Sequence, residues 1–133
     1  MMCRLLWIFI HVSAPSRLPA DLARFGLLLA RQGEQLVSPL HVTTVLSLMF
    51  TCGLYNGSGA FATRSGVAAK SGVGGGIVAV VPGQFGIGTF GPALDRNGNS
   101  IGGLRLLEIL SAEFGWHIFG PRGEQTRQQG PSA

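Results

Sequence analysis

Fifteen of the chain's 21 glycines fall between Gly53 and Gly103, and within that stretch lies the unbroken run Ile77-Val78-Ala79-Val80-Val81. A β-branched run without helical spacing predicts a strand buried on both faces. Pro82-Gly83-Gln84 then reads as a turn, and Phe85-Gly86-Ile87-Gly88-Thr89-Phe90 as the returning strand. Glycine inside a strand means that another backbone or a ligand comes close. The region therefore has to form an antiparallel hairpin with something pressed against its second arm. The glycine excess has no collagen period and needs this local explanation.

The flanking segments read as helices. Pro19 suits a first helical turn, Asp21 favours the positive end of the helix dipole, and Leu22, Phe25 and Leu29 share a face before Gly33 stops the helix. Ser38-Pro39 is an N-cap followed by proline, Val42, Val45, Leu46 and Met49 follow at helical spacing, and Gly53 closes the segment. Both are expected to be core helices, with Cys52 a small buried thiol. Ala60 to Arg64 reads as a short strand. Asp95-Arg96-Asn97-Gly98-Asn99 is a turn, and Ser100 caps a helix from Ile101 to Phe114 that Gly115 ends. On its outer side Arg105 and Glu108 can pair. Helices flanking an antiparallel strand group give an α+β class, an antiparallel sheet packed with helices.

At 133 residues the chain holds one domain at most. Residues 1–18 stand apart as an apolar N-terminal segment. Arg4 followed by Leu5-Leu6-Trp7-Ile8-Phe9-Ile10-His11-Val12 resembles a short signal-peptide core, with Val12-Ser13-Ala14 as a possible cut. Against it stand the shortness of the run, its histidine and Pro15 after the cut; a misassigned start is the alternative. The run is too short to span a bilayer, which needs about 20 residues, so no membrane partner is expected. Residues 120–133 are Gly/Pro/Gln/Arg-rich and read as a disordered tail.

The net charge of +4 comes from ten cations spread almost evenly along the chain. A nucleic-acid surface needs a cluster or stripe with interleaved aromatics, so none is expected. Cys3 and Cys52 form no Cys-x-x-Cys pair, and His11, His41 and His117 share no ligand spacing, so neither a metal nor any other cofactor is implied. Charged residues are only 12% of the chain, against about 25% in an average soluble protein. Such a surface favours association, and a homo-oligomer is expected.

Two glycine motifs fail as nucleotide sites. Lys70-Ser71 lacks the preceding glycines of a phosphate loop, since its glycines come after the lysine. Gly86-x-Gly88-x-x-Gly91 matches a dinucleotide fingerprint in form but lies in a strand and leads into Pro92, so β-packing is the better account. Lys70-Ser71-Gly72-Val73-Gly74-Gly75-Gly76 leaves two readings open. Uncovered backbone N–H groups beside a lone lysine can hold an oxyanion, and the same run can be a loop with one surface lysine. Tyr55, the only tyrosine, sits on a turn after a helix stop. A phenol beside a cation can carry a proton, whereas a lone tyrosine is commonly a packing residue.

Three stretches in order carry a family resemblance: Cys52-Gly53-Leu54-Tyr55-Asn56-Gly57-Ser58-Gly59-Ala60-Phe61-Ala62, then Ala69-Lys70-Ser71-Gly72-Val73-Gly74-Gly75-Gly76-Ile77, then Pro92-Ala93-Leu94-Asp95-Arg96-Asn97-Gly98-Asn99-Ser100. Together they resemble the C-terminal half of the serine-dependent glutaminases, over about Pro19 to Phe119. The resemblance implies part of a β-lactamase/transpeptidase-like fold and hydrolysis of L-glutamine to glutamate and ammonia. In that family an upstream serine in a Ser-x-x-Lys helix start attacks the γ-amide carbonyl. Tyr55 matches the family tyrosine beside the nucleophile, a substrate contact and proton carrier. Val73 matches the residue whose backbone N–H helps hold the substrate oxygen. Lys70-Ser71-Gly72 resembles the superfamily's Lys-Ser/Thr-Gly strand motif, which makes Lys70 an electrostatic group and Ser71 a substrate contact.

The departures matter as much. Lys70 is the chain's only lysine, Val67 stands three residues before it, and so no Ser-x-x-Lys exists here. Asn56 stands where the family usually has Asp, Ala69 where Pro is common, and Phe90-Gly91 where Trp-Ser is found. The expectation is a cytoplasmic C-terminal piece of such an enzyme, residues 19–119, truncated or given a wrong start and inactive alone. The alternatives are an inactive remnant that acts only by self-association or as one half of a split enzyme, completed by an N-terminal half, and a penicillin-recognising relative.

Overall fold

β2 (Gly76–Val81) runs between β1 (Ala68–Ser71) and β3 (Phe85–Phe90) and is antiparallel to both. These coordinates come from a computed structural model that describes residues 17–121. The signal-peptide reading and nearly all of the tail reading lie outside the described residues. Strand geometry sends alternate side chains to opposite faces, and here both faces are apolar. Ile77, Ala79 and Val81 join Ile87, Leu54, Phe61, Leu107 and Trp116 on one side. Val78, Val80 and Ala68 meet Leu29, Ala30, Val42 and Met49 on the other. The unbroken run of β2 is thus a central strand, as its composition requires.

The glycines of β3 have a definite cause. α1 (Leu18–Ala30) lies directly across this strand, and a Cβ on Gly86 would enter the backbone of Gly26 and Leu27. One on Gly88 would enter that of Pro19 and Ala23. α1 accordingly buries Ala20, Ala23, Gly26, Leu29 and Ala30. Leu29 is inside as expected, and Leu22 is partly buried against that cluster. Phe25 is 51% exposed, a correction: the small residues of α1, rather than its largest side chain, face a sheet that offers bare backbone.

α2 (Pro39–Cys52) starts and stops where the sequence puts it. Ser38 Oγ accepts from the His41 amide at 3.4 Å, and Gly53 closes the helix on the Met49 carbonyl. It is not a fully buried helix. Val42 and Met49 are inside, but Leu40 is 74% and Leu48 55% exposed, and Cys52 is exposed rather than buried. A narrow buried stripe on a helix that is apolar nearly all round leaves the remainder facing outward.

The segment read as a strand at Ala60 to Arg64 belongs to α3 (Ser58–Ser65). Ser58, Phe61 and Ser65 are its buried positions, spaced by three and four, a helical period that the short window concealed. Ser65 Oγ donates to the Phe61 carbonyl, and Gly66 ends the helix at φ 60°. The strand before β2 is instead Ala68–Ser71. α4 (Ile101–Phe114) has the predicted bounds, with Ser100 Oγ accepting from Gly103 N at 3.2 Å and Gly115 at φ 64°. Glu108 is held by Arg64 at 2.7 Å, closer than by its expected partner Arg105 at 3.7 Å. The class is α+β, with helices packed on an antiparallel sheet.

Candidate functional site

Four sequence-predicted residues come together at one end of the sheet. Lys70 and Ser71 end β1, and Val73 stands at the tip of the β1–β2 hairpin. Tyr55 opens a 3-10 turn (Tyr55–Gly57) between α2 and α3. Strand alternation separates the two hairpin residues. Lys70 faces outward, and Ser71 turns inward and is 4% exposed.

The Lys70 ammonium lies 4.8 Å from the centroid of the Tyr55 ring, a cation over an aromatic face, and also donates to the Ser71 carbonyl. Gly98, at φ 86°, fills the space between Val73 and Tyr55. A Cβ there would sit 3.3 Å from Val73 Cγ1 and 3.9 Å from Tyr55 Cε2. A side chain at this point would press on Val73 and touch Tyr55, and with the left-handed backbone this gives the Asn97-Gly98-Asn99 turn its bare middle.

The hairpin tip uses some of its amides and spares others. Gly72 N donates to the Gly76 carbonyl and Gly75 N to the Gly72 carbonyl, both at 2.9 Å. Among the described residues, the Val73 and Gly74 amides have no protein acceptor. Val73 is 70% exposed, so its N–H can serve an incoming oxygen. Tyr55 is also solvent-facing. Its backbone sits at φ 54°, a left-handed conformation that a bulky residue adopts only when its surroundings impose it.

Ser71 is not poised as a nucleophile. Its hydroxyl donates to Asn99 Oδ1 at 2.5 Å, and a carboxamide is no base to take that proton. The arrangement can present an amide donor, a fixed positive charge and a phenol to an anionic or carbonyl-bearing ligand. It holds no activated attacking group among the described residues. Asn99 is the polar residue that sequence reasoning left without a role, though Asp95-x-Asn97-x-Asn99 marked the turn: Asp95 Oδ1 accepts from the amides of Asn97 and Asn99 at 2.8 and 2.9 Å. Cys52 and His41 lie on α2, and His117 bonds the Thr63 carbonyl at the far end of α3. Among the described residues, no His/Cys/Asp/Glu group is arranged to hold a metal ion, and no helix is long and apolar enough to cross a membrane.

Comparison with known proteins gives one consistent result. A family model described as Glutaminase matches residues 3–119. The glutaminase of Bacillus cytotoxicus is 54% identical over 105 residues, which is 74% of this chain and 34% of the relative. Glutaminase 1 of Bacillus anthracis gives the same identity and coverage. Among solved structures, a Bacillus glutaminase superimposes with a TM-score of 0.73 at 42% identity, over 76% of this chain and 38% of that one. So does the Bacillus subtilis enzyme in covalent complex with 5-oxo-L-norleucine, formed by reaction with 6-diazo-5-oxo-L-norleucine, at TM-score 0.73 and 43% identity, over 75% of this chain and 39% of that one. The chain thus spans about a third of the length of the curated relatives it matches.

Proposed function

The chain belongs to the glutaminase family, and on that premise we propose that it forms one wall of an L-glutamine amidohydrolase site. The observation that carries this reading is the meeting of Lys70 with the Tyr55 ring and of Tyr55 and Val73 across Gly98, with the Val73 amide left open. In this reading the Val73 N–H holds the γ-carbonyl oxygen of glutamine as negative charge develops on it. Tyr55 carries the proton delivered to the departing ammonia, and Lys70 fixes positive charge beside the phenol and the substrate. Ser71 supports the pocket through its buried bond to Asn99.

The attack itself belongs to a Ser-x-x-Lys pair that this sequence does not contain. In this reading the pair lies in the two-thirds of the relatives' length that these residues do not span. The neighbour trapped as a covalent norleucine adduct supports a covalent route for the completed enzyme. The test is glutamine-dependent ammonia release by the purified chain, alone and co-expressed with the N-terminal two-thirds of a Bacillus relative. Activity only in the pair is expected; activity of the chain alone overturns the proposal.

One observation favours a second reading, a self-associating remnant. The outer edge of β3 has no strand partner among the described residues, and Leu36, Leu40 and Leu48 are exposed. A well-behaved monomer in size-exclusion chromatography would exclude it.

A further inference from the structure

We infer that Asn99 is the positioning residue of this site, joining the turn that carries Tyr55 to the hairpin that carries Lys70 and Val73. Its side chain is fully buried and spends both polar ends on other segments. Oδ1 accepts from Ser71 Oγ at 2.5 Å, and Nδ2 donates to the Leu54 carbonyl at 3.0 Å. Those partners lie 28 and 45 residues away in sequence. A turn residue needs no such reach, and the Asp95 carboxylate already organises this turn from within.

The chemistry selects a carboxamide. Only a group that accepts at one atom and donates at the other can satisfy a hydroxyl and a carbonyl at once. An aspartate would accept from Ser71 and face the Leu54 carbonyl with nothing to give. An apolar residue would leave both partners buried and unpaired, which costs more than either bond contributes.

What Asn99 holds is the strain at Tyr55. The backbone on either side of Tyr55 is held by several bonds. Ser58 Oγ accepts from Leu54 N at 2.9 Å and donates to the Tyr55 carbonyl at 2.8 Å, and Gly57 N donates to the Leu54 carbonyl at 3.0 Å beside Asn99. Ser58 and Gly57 come from the turn itself. Two bonds reach this segment from the hairpin: the Ser71 amide donates to the Gly53 carbonyl at 3.2 Å, and Asn99 links the Leu54 carbonyl to the Ser71 hydroxyl. Asn99 is the side-chain member of that pair, and it holds the Tyr55 turn against the strand end that carries Lys70 and leads to Val73. The catalytic meaning of that placement rests on the glutaminase reading, while the positioning does not.

Because Tyr55 is the only tyrosine, 3-fluorotyrosine gives a single fluorine resonance for the site. Asn99→Asp, which replaces the donor to the Leu54 carbonyl with a carboxylate oxygen, is expected to displace or double that resonance. Val42→Ala, a core change in the other cluster near the start of α2, is expected to leave it in place, with far-UV circular dichroism reporting the fold of both variants. A folded Asn99→Asp chain with an unmoved resonance overturns the inference. Should that variant not fold, the wild-type chain decides through hydrogen exchange of the Asn99 side-chain amide. Protection at least tenfold beyond the free amide supports the brace; exchange at the free rate overturns it. Neither readout needs activity, so failure here leaves the glutaminase reading standing, and an inactive complemented pair leaves this result standing.

Discussion

The glycines of β3 and those of the site end look alike in sequence and do opposite work. At Gly86 and Gly88 a Cβ has no room, because the backbone of α1 already occupies the space. At Gly72 and Gly74 a Cβ would meet nothing within 4 Å. The first pair lets two elements close on each other. The second leaves the hairpin tip open to solvent, where the Val73 and Gly74 amides have no acceptor among the described residues. A glycine-rich region thus encodes a tight seam at one place and an open hairpin tip at another, and only the packing partner tells them apart.

The contrast breaks most readily at the seam. Gly88→Ala should destabilise the chain by at least about 3 kcal/mol, because the obstacle is main chain of α1 and cannot rotate away. A denaturation midpoint close to that of the parent would disprove the seam. Gly98→Ala lies between the two classes. Its φ of 86° and the nearness of Val73 and Tyr55 should cost about 1–2 kcal/mol and displace the Tyr55 fluorine resonance, measured by urea titration and NMR. Gly74→Ala should stay within about 0.5 kcal/mol of the parent, since its position is open and its φ is not left-handed. A large loss there would mean that the tip packs against something.

The elements that sequence resolves are those with punctuation. Ser38-Pro39, Gly53, Ser100 and Gly115 are caps whose chemistry is local, and α2 and α4 begin and end on them. β2 is legible because β-branched residues on both faces leave no other use for the run. α3 was hidden because eight residues hold barely two turns and only one large apolar side chain, Phe61. β1 was hidden for a related reason: Ala-Ala-Lys-Ser has no strand propensity, and its strand state comes from pairing with β2. Phe25 and Cys52 were misplaced because which face of an apolar helix is buried depends on the surface opposite, which local sequence does not describe. Tyr55, Lys70, Ser71 and Val73 were singled out as candidates by family resemblance, and the fold brings them to one end of the sheet. Asn99 was missed because its partners lie far along the chain.

In the proposed function this chain furnishes a wall of the glutamine site without the group that attacks the amide. Intact-mass analysis after incubation of the purified chain with 6-diazo-5-oxo-L-norleucine, the reagent that labels the Bacillus subtilis relative, tests that most directly. The account predicts an unchanged mass for the chain alone and an adduct confined to the complementing segment when the two are combined. An adduct on any side chain of these 133 residues would contradict it.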